Sequence, residues 1–284
     1  MDISVVMACR NSNKSALLMA VNSILNQSCI DFELIIVDDG SDVPIENIMK
    51  EVEDKRIRLY CIEAAGLGAA LNYGISKAKG KYIARLDDDD VMCSNRLKIQ
   101  HYILENNPKV VCVGTQIYFK TKSKCIRYKP FPLTHDLILK RLVQLKQGMA
   151  HTALMFRKEA FDAIGGYRIK GGGQDIDLML QLSMRGELMN IGEYLNYYNL
   201  SSQGLSVMYP VNKFRAYLFA FNSIKEESLF DKFRNEIDKT ILLLEKKVNR
   251  KRYFIPNIRK IILIIFVDIF GRKFDSDKYS FSKS

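Results

Sequence analysis

Four consecutive aspartates, Asp87 to Asp90, are the residues in this chain whose types and spacing most clearly suggest chemistry. They follow a short apolar stretch, residues 82–86, that is typical of a buried strand. Like charges this close repel each other, so a fold gains nothing from them unless a positive group lies nearby. Hard cations such as Mg²⁺ and Mn²⁺ prefer oxygen ligands, often one or two carboxylates with phosphate oxygens. The run therefore predicts either a metal and diphosphate site at a strand end or a solvated acidic turn.

Apolar spacing predicts alternating strands and helices around this run. The predicted strands in the first third of the chain are 3–7, 32–37, 57–62 and 82–86, and the predicted helices are 14–27, 44–53 and 69–79. Such alternation predicts an α/β fold, a mostly parallel sheet flanked by helices.

Polar stretches follow three of these strands, at residues 7–11, 38–41 and 87–90. Ligands of open α/β sheets bind outside the carboxyl ends of the strands. We therefore expect the three stretches to meet in one crevice, which favours a binding site over a solvated turn.

The second half of the chain has a more mixed pattern. Its predicted helices are 95–106, 134–145 and 174–185, its predicted strands are 110–119, 151–157 and 188–198, and residues 211–248 form one long helical pattern. Asp175 and Asp177 fall in the first turn of the helix 174–185, where acids also suit the helix dipole without any catalytic role.

Composition limits the possible classes of protein. The six cysteines have no Cys-x-x-Cys spacing, which argues against a zinc site or a disulfide framework and favours a reducing compartment. The first residues have no basic region followed by an apolar run, so we expect no secretory signal and a cytoplasmic protein.

The net charge of +11 is concentrated near the C-terminus, where residues 201–284 carry +8 of it. Residues 246–260 contain seven Lys or Arg, and the apolar stretch 261–270 follows. Ten residues are too few to cross a bilayer, which needs about 20. A basic run beside a short apolar helix is typical of a membrane-surface anchor. A helix that docks on the catalytic domain, or a dimer contact, would give the same pattern.

A series of short motifs runs along the chain in a fixed order: Ser4-Val-Val-Met7 with Asn11; Ser23-Ile-Leu-Asn-Gln27; Phe32-Glu-Leu-Ile-Ile-Val-Asp-Asp-Gly-Ser41; Gly66-Leu67 with Ala70-Leu-Asn-Tyr-Gly-Ile75; Ala78-Lys-Gly-Lys-Tyr-Ile-Ala-Arg-Leu-Asp-Asp-Asp-Asp90; Arg96-Leu97; Met155-Phe-Arg-Lys-Glu159 with Gly165-Gly-Tyr167; and Asp175-Ile-Asp-Leu178. Each motif is weak singly. In this order and spacing, over roughly residues 3–205, they resemble a family 2 glycosyltransferase of the GT-A fold.

The resemblance implies a domain layout. Residues 1–205 would form the GT-A domain, with a nucleotide-sugar-binding half at 1–100 and an acceptor half at 101–205. Residues 206–284 would form a basic helical extension, which is the possible membrane-surface anchor.

The resemblance also implies roles for individual residues on the donor side. Asp39 would accept a hydrogen bond from the N3–H of uracil, since an ionised carboxylate only accepts. Asp87 and Asp89 match the Asp-x-Asp motif. Asp89 would be the direct ligand of Mn²⁺ or Mg²⁺, with Asp87 or Asp88 toward the ribose and the water shell of the metal. The remaining residues expected to bind substrate are Ala8, Arg10, Gly66, Leu67 and His151.

Asp175 matches the catalytic base of the family, and the chemistry implied is direct displacement with inversion at the anomeric carbon. Two positions depart from the pattern. Arg10 stands where the family often has an aromatic residue that stacks on the base, and Arg can stack or pair with phosphate. Gln174 replaces the glutamate that usually precedes the base, which lessens like-charge elevation of the Asp175 pKa.

The expected partners are a nucleotide-sugar donor, a UDP-sugar in the first instance, and a saccharide or lipid-linked saccharide acceptor, as in bacterial surface polysaccharide synthesis. An anionic membrane surface is a further expected partner, and nucleic acid is not expected.

Three other classes of protein are considered on the residues alone. A metal-dependent nucleotidyltransferase lacks a Lys-rich phosphate loop after the first strand. A basic nucleic-acid-binding protein would need aromatic platforms, for which only Tyr253 and Phe254 stand in the basic run. A dinucleotide-binding dehydrogenase lacks the third glycine of its fingerprint after Gly66 and Gly68.

Overall fold

Four parallel strands form the centre of the sheet in the computed structural model. They are β1 (Ile3–Cys9), β2 (Phe32–Asp39), β3 (Ile57–Ile62) and β4 (Tyr82–Arg85), in the spatial order β4-β1-β2-β3. Every residue of β1, β2 and β4 is buried, which explains why these strands are continuously apolar instead of alternating. The structure describes residues 1–28, 31–121, 123–169, 172–200, 210–249, 263–264, 266–267 and 269–274.

Helices cover both faces of this sheet. They are α1 (Lys14–Leu25), α2 (Glu46–Met49), α3 (Leu67–Ser76), α4 (Arg96–Asn106), α5 (His135–Val143), α6 (Lys158–Ala163), α7 (Gln174–Ser183), α8 (Pro210–Ile224) and α9 (Arg234–Asn249). Side chains from α1 and α4 pack with one face of β1 and β2 in one apolar cluster. The opposite face packs with α3, α5, α7, α8 and α9 in a second cluster. The α/β fold predicted from the sequence is confirmed.

The remaining strands extend the sheet beyond β4. They are β5 (Val91–Met92), β6 (Val110–Lys120), β7 (Lys124–Arg127), β8 (Met155–Arg157), β9 (Glu187–Asn199) and β10 (Arg272–Lys273). The continuous order is β10-β7-β6-β8-β4-β1-β2-β3, with β9 parallel to β6 and antiparallel to β5. Because β8 pairs antiparallel with both β4 and β6, the parallel arrangement predicted for most of the sheet holds for its first half, and the whole sheet is mixed.

The structure corrects several boundaries. Residues 151–157, predicted as one strand, form a 3₁₀ helix at His151–Ala153 and then β8. The second predicted helix shortens to α2, and the long pattern at 211–248 divides into α8, a 3₁₀ helix at Ser228–Phe233, and α9. The short strands β5, β7 and β10 were not predicted, because two to four residues carry too little periodicity to be recognised.

Arg96 fastens the two halves of the sheet together beneath the aspartate run. Its side chain is fully buried and donates to the carbonyl oxygens of Arg85 (2.8 Å) and Leu154 (3.2 Å) and to the side chain of Asn196 (2.9 Å). These groups lie at the end of β4, just before β8, and in β9. Arg96 therefore has a structural role.

Helices α8 and α9 pack on the same core as the helices before them. Ala220, Phe221 and Ile224 of α8 are buried in the cluster that also holds residues of α7. Farther on, Val267 is buried and Phe274 is 5% exposed. Within the described residues, no helix is long and apolar enough to cross a membrane. Most of the basic run, from residue 250 to 260, lies outside the described residues.

Candidate active site

The loops that follow β1, β2 and β4 meet at the carboxyl edge of the sheet and are hydrogen-bonded to one another. The backbone N–H of Asn11 donates to Ser41 Oγ (2.9 Å), and the backbone N–H of Asp42 donates to Asn11 Oδ1 (2.8 Å). Ser12 donates its hydroxyl hydrogen to Asp88. The three polar stretches predicted to converge in one crevice are therefore neighbours.

Asp38 fixes the turn after β2. Its carboxylate accepts from the backbone N–H groups of Ser41 and Ile45, both at 2.9 Å. Asp38 is therefore a structural residue of this turn.

Asp39, the next residue, reaches across to the loop before α3. Its carboxylate accepts from the backbone N–H groups of Ala65 (2.7 Å) and Gly66 (3.0 and 3.1 Å). Gly66 has a φ of +92°, and among the described residues no heavy atom lies within 4 Å of the position that a Cβ would take. The left-handed backbone favours glycine there, and the open space lets a ligand approach the main chain.

The other residues expected to bind the nucleoside lie around this carboxylate. Ala8 is 8% exposed in β1 and pairs with Val37 of β2. Leu67 opens α3 and is half-buried, whereas Arg10 is exposed in the loop after β1.

The aspartate run is a tight turn in which the backbone N–H of Asp90 donates to the carbonyl oxygen of Asp87 (3.2 Å). Asp87 forms an ion pair with Arg85, whose side chain is fully buried. The backbone N–H of Asp87 also donates to Thr152 Oγ1 (3.0 Å). A charged residue inside an otherwise apolar strand was the available signal for Arg85, and the sequence reasoning did not use it.

Asp88 and Asp89 accept hydrogen bonds from other side chains, Ser12 and Asn199. Burial, followed by the charges of Asp89 and Asp87, raises the pKa of Asp88 to about 7, although the Ser12 hydrogen bond opposes the shift. Burial and the Asp87 charge also raise the pKa of Asp89, which accepts from the side-chain amide of Asn199 (3.1 Å).

Asp90 is fully buried and accepts from the backbone N–H of Asn199 (2.7 Å). The carboxylate of Asp90 therefore ties the turn to the end of β9.

His151 begins the 3₁₀ helix that also carries Thr152, the acceptor of the Asp87 backbone N–H. Its Nε2 is 2.7 Å from Tyr167 Oη. Desolvation, with a smaller contribution from Arg85, lowers the pKa of His151 to about 4, and the charges of Asp87 and Asp175 oppose that shift. His151 is therefore neutral near pH 7, and the charges of both Asp87 and Asp175 act on it.

Asp175 and Asp177 open α7 but face different surroundings. Asp177 is 1% exposed and forms an ion pair with Arg168. Asp175 is only partly buried and lies near Tyr217, whose pKa is raised by burial and then by the Asp175 charge. The structure thus commits Asp177 to a structural pair and leaves Asp175 as the acid beside His151.

Family comparison gives a match over the first part of the chain. The model of the family described as "Glycosyl transferase family 2" matches residues 4–165. The O-antigen biosynthesis glycosyltransferase WbnJ of Escherichia coli is 35% identical over 186 residues, which cover 63% of this chain and 71% of that protein. The uncharacterized glycosyltransferase MJ1057 of Methanocaldococcus jannaschii is 38% identical over 121 residues, which cover 41% and 42%.

Solved structures with a similar fold include S. aureus TarS 1–349 in complex with UDP-GlcNAc. The TM-score is 0.70 at 16% identity, and the match covers 87% of this chain and 72% of that chain. The complex of the same protein with UDP gives 0.68 at 16% identity, over 85% and 71%. At this identity the likeness concerns the fold, and it confirms the GT-A fold that the motifs predicted.

The raised pKa of Asp88 makes a prediction for the metal-free protein. An acid whose folded pKa exceeds its unfolded pKa lowers stability increasingly as the pH rises between the two values. Asp88→Asn removes that penalty and keeps an acceptor for Ser12. We expect the variant to gain stability relative to wild type by about 1 kcal/mol per pH unit between pH 5 and pH 7.

The measurement is urea unfolding in chelator at a series of pH values, with the exposed Glu53→Gln variant as control. A difference between Asp88→Asn and wild type that stays flat or falls with pH would contradict the burial of an ionisable Asp88.

Proposed function

The chain belongs to glycosyl transferase family 2 and is a glycosyltransferase, and on this basis we propose that it moves a sugar from a UDP-sugar to a hydroxyl of a saccharide or lipid-linked saccharide, with inversion at the anomeric carbon. The printed name of WbnJ refers to O-antigen biosynthesis, which supports an acceptor in bacterial surface polysaccharide synthesis. The TarS complexes hold UDP-GlcNAc and UDP, which supports a nucleotide-sugar donor.

The observation that carries this proposal is that the charges of Asp87 and Asp175 both act on His151, whose neighbour Thr152 accepts from the backbone N–H of Asp87. Displacement with inversion needs a base on the acceptor and charge stabilisation on the departing group on opposite sides of one sugar. Two carboxylates that both act on one half-buried ring belong to one site, although they lie 88 positions apart in the sequence.

The nucleoside would bind beside Asp39. The two backbone N–H groups that hold the Asp39 carboxylate use part of its accepting capacity, since an ionised carboxylate has about four lone-pair sites. The remaining capacity suits an imide N–H such as that of uracil. Ala8, Gly66 and Leu67 would line the base or ribose, and exposed Arg10 would reach the base or a phosphate.

The carboxylates of Asp87 and Asp89 fit a divalent cation in number and chemistry. Mg²⁺ and Mn²⁺ are usually held by one or two carboxylates, with substrate phosphates supplying further oxygens. In the part of the chain that the structure describes, no group of three His, Cys, Asp or Glu could hold a metal by itself. This set therefore suits an ion that the protein shares with a donor diphosphate. Bound Mn²⁺ or Mg²⁺ would offset charge on the departing nucleoside diphosphate.

Asp175 would act as the base. It accepts the proton of the acceptor hydroxyl as that oxygen attacks the anomeric carbon, while the bond from that carbon to the diphosphate breaks on the opposite face. Neutral His151, hydrogen-bonded to Tyr167, would limit the access of water, which would otherwise compete as acceptor.

We also propose that the protein works at the cytoplasmic face of an anionic membrane. Phe266, Ile269 and Phe270 are 48%, 62% and 67% exposed, whereas Val267 on the same segment is buried. The apolar surface therefore faces away from the domain, and exposed Arg272 and Lys273 follow it. Apolar side chains flanked by basic residues fit the interface of an anionic bilayer. Such a position would suit a lipid-linked acceptor.

The base assignment predicts that Asp175→Asn abolishes sugar transfer while leaving the fold intact. A positioned base contributes about 10²–10⁴-fold to rate, so a loss in that range is expected. Asp89→Ala should abolish transfer as well, through the metal side of the site. The measurement is sugar transfer from UDP-sugars in Mn²⁺, with the anomeric configuration of the product read by NMR and the exposed Asp162→Asn variant as control. Normal turnover by correctly folded Asp175→Asn would refute the base, and a retained configuration would refute direct inversion.

The membrane proposal predicts that changing Phe266, Ile269 and Phe270 together to Ser releases the protein from anionic vesicles. The loss of apolar contact should lower vesicle binding by at least about tenfold, because each large side chain contributes roughly 1.5–3 kcal/mol when buried. The test is co-sedimentation with phosphatidylglycerol vesicles, with phosphatidylcholine vesicles for comparison. The matched control changes the exposed Val43 and Leu133 to Ser. Equal sedimentation of the triple variant and wild type would contradict this surface.

A further inference from the structure

Lys120 is a buried lysine that the proposed mechanism does not use. It is the last residue of β6 and is only 5% exposed. A buried ammonium group costs free energy unless opposite charges or acceptors compensate it. The groups around Lys120 therefore show which charges and acceptors compensate its ammonium group.

Asn199 connects Lys120 to the aspartate run. β6 and β9 run parallel with Lys120 opposite Asn199, so both side chains lie at the same edge of the sheet as the acidic turn. Lys120 Nζ donates to Asn199 Oδ1 (3.4 Å), and Asn199 Nδ2 donates to Asp89 (3.1 Å). The backbone N–H of Asn199 also donates to Asp90 (2.7 Å). One asparagine thus touches the lysine and both carboxylates at the end of the run.

The C-terminal segment covers the lysine. The ring of Phe274 lies 5.2 Å from Lys120 Nζ, and Phe274 itself is 5% exposed. β10 pairs with β7, and the backbone N–H of Phe274 donates to the carbonyl oxygen of Ser123 (2.8 Å). Phe274 also packs against Tyr197 with ring centroids 5.1 Å apart. The segment therefore holds the ammonium group in a partly dehydrated position, where its charge is weakly screened.

We propose that Lys120 is a permanent counter-charge of the acidic turn, a positioning residue that compensates Asp89 and Asp90 and opposes the binding of a cation beside them. Arg85 has the matching place at the other end of the run, where it pairs with Asp87. Burial lowers the pKa of Lys120, and the charges of Asp90 and Asp89 oppose that shift. The second half of the proposal rests on the proposed metal site: a fixed positive charge near Asp89 would keep a divalent cation weakly bound until a donor diphosphate adds its oxygens.

The counter-charge role of Lys120 is tested without metal or donor. Lys120→Met removes the charge, and Asp89→Asn removes one of the carboxylates that it would compensate. In chelator at pH 8, Lys120→Met should lower the urea midpoint of unfolding, and adding Asp89→Asn to it should raise the midpoint again. In the wild-type background, where Lys120 still compensates the carboxylate, Asp89→Asn should raise the midpoint by less. Lys109→Met is the matched control, because Lys109 is exposed just before the opposite end of β6.

The sign of the coupling between Lys120→Met and Asp89→Asn decides whether Lys120 compensates Asp89. If Lys120→Met alone does not fold, recovery of folded protein in the double variant is the expected result. A double variant no more stable than Lys120→Met, or additive effects of the two substitutions, would overturn the role of Lys120. Neither result depends on whether the protein transfers sugar.

The opposition of Lys120 to a bound cation is tested with Mn²⁺ alone, by electron paramagnetic resonance of the free ion. Lys120→Met should bind Mn²⁺ roughly three- to tenfold more tightly than wild type, since removing a nearby positive charge favours the cation. If Lys120 only shaped the site, its replacement would weaken the binding of Mn²⁺. Unchanged or weaker binding in Lys120→Met, with Lys109→Met like wild type, would overturn the opposition to the cation. Absence of Mn²⁺ binding to wild type would count against the proposed metal site, while the urea experiment still decides the counter-charge.

Discussion

Electrostatic repulsion among four adjacent carboxylates is the constraint on which the site depends. A turn that places Asp87 to Asp90 together at a partly dehydrated sheet edge is unfavourable unless each carboxylate has compensation. The compensation comes from different directions: Arg85 to Asp87, Ser12 to Asp88, and Asn199 to both Asp89 and Asp90. The turn therefore forms only when β1, β4 and β9 are all in place.

The surrounding architecture follows from this need. Arg96 holds the carbonyl groups next to the turn, so that β4 and β9 keep a fixed distance beneath it. The 3₁₀ helix at His151–Ala153 places Thr152 on the backbone N–H of Asp87 and His151 where the charges of Asp87 and Asp175 both act on it. Even the C-terminal segment contributes, because Phe274 covers the lysine behind Asn199. Residues far apart in the sequence thus support one acidic turn.

Local patterns were enough to predict the frame of the molecule. Continuous apolar runs identified β1, β2 and β4, and the convergence of their polar ends followed from the geometry of parallel sheets. The family match settles the choice between a glycosyltransferase and the nucleotidyltransferase or nucleic-acid-binding alternatives.

The pairing of β6 with β9 was not predictable, because nothing in one strand specifies a distant partner. For this reason the sequence did not point to Asn199 and Lys120, although strands ending one residue before them, at 110–119 and 188–198, were both predicted.

The proposed function requires that the acidic turn bind a metal together with a nucleoside diphosphate. Isothermal titration of UDP into the protein, with Mn²⁺ or with chelator, tests this requirement when wild type and Asp89→Asn are compared. We expect that UDP binds in the presence of Mn²⁺, that chelator weakens this binding at least about tenfold, and that Asp89→Asn makes the Mn²⁺ dependence disappear. UDP binding of equal strength in Mn²⁺ and in chelator, and in both proteins, would contradict the proposal.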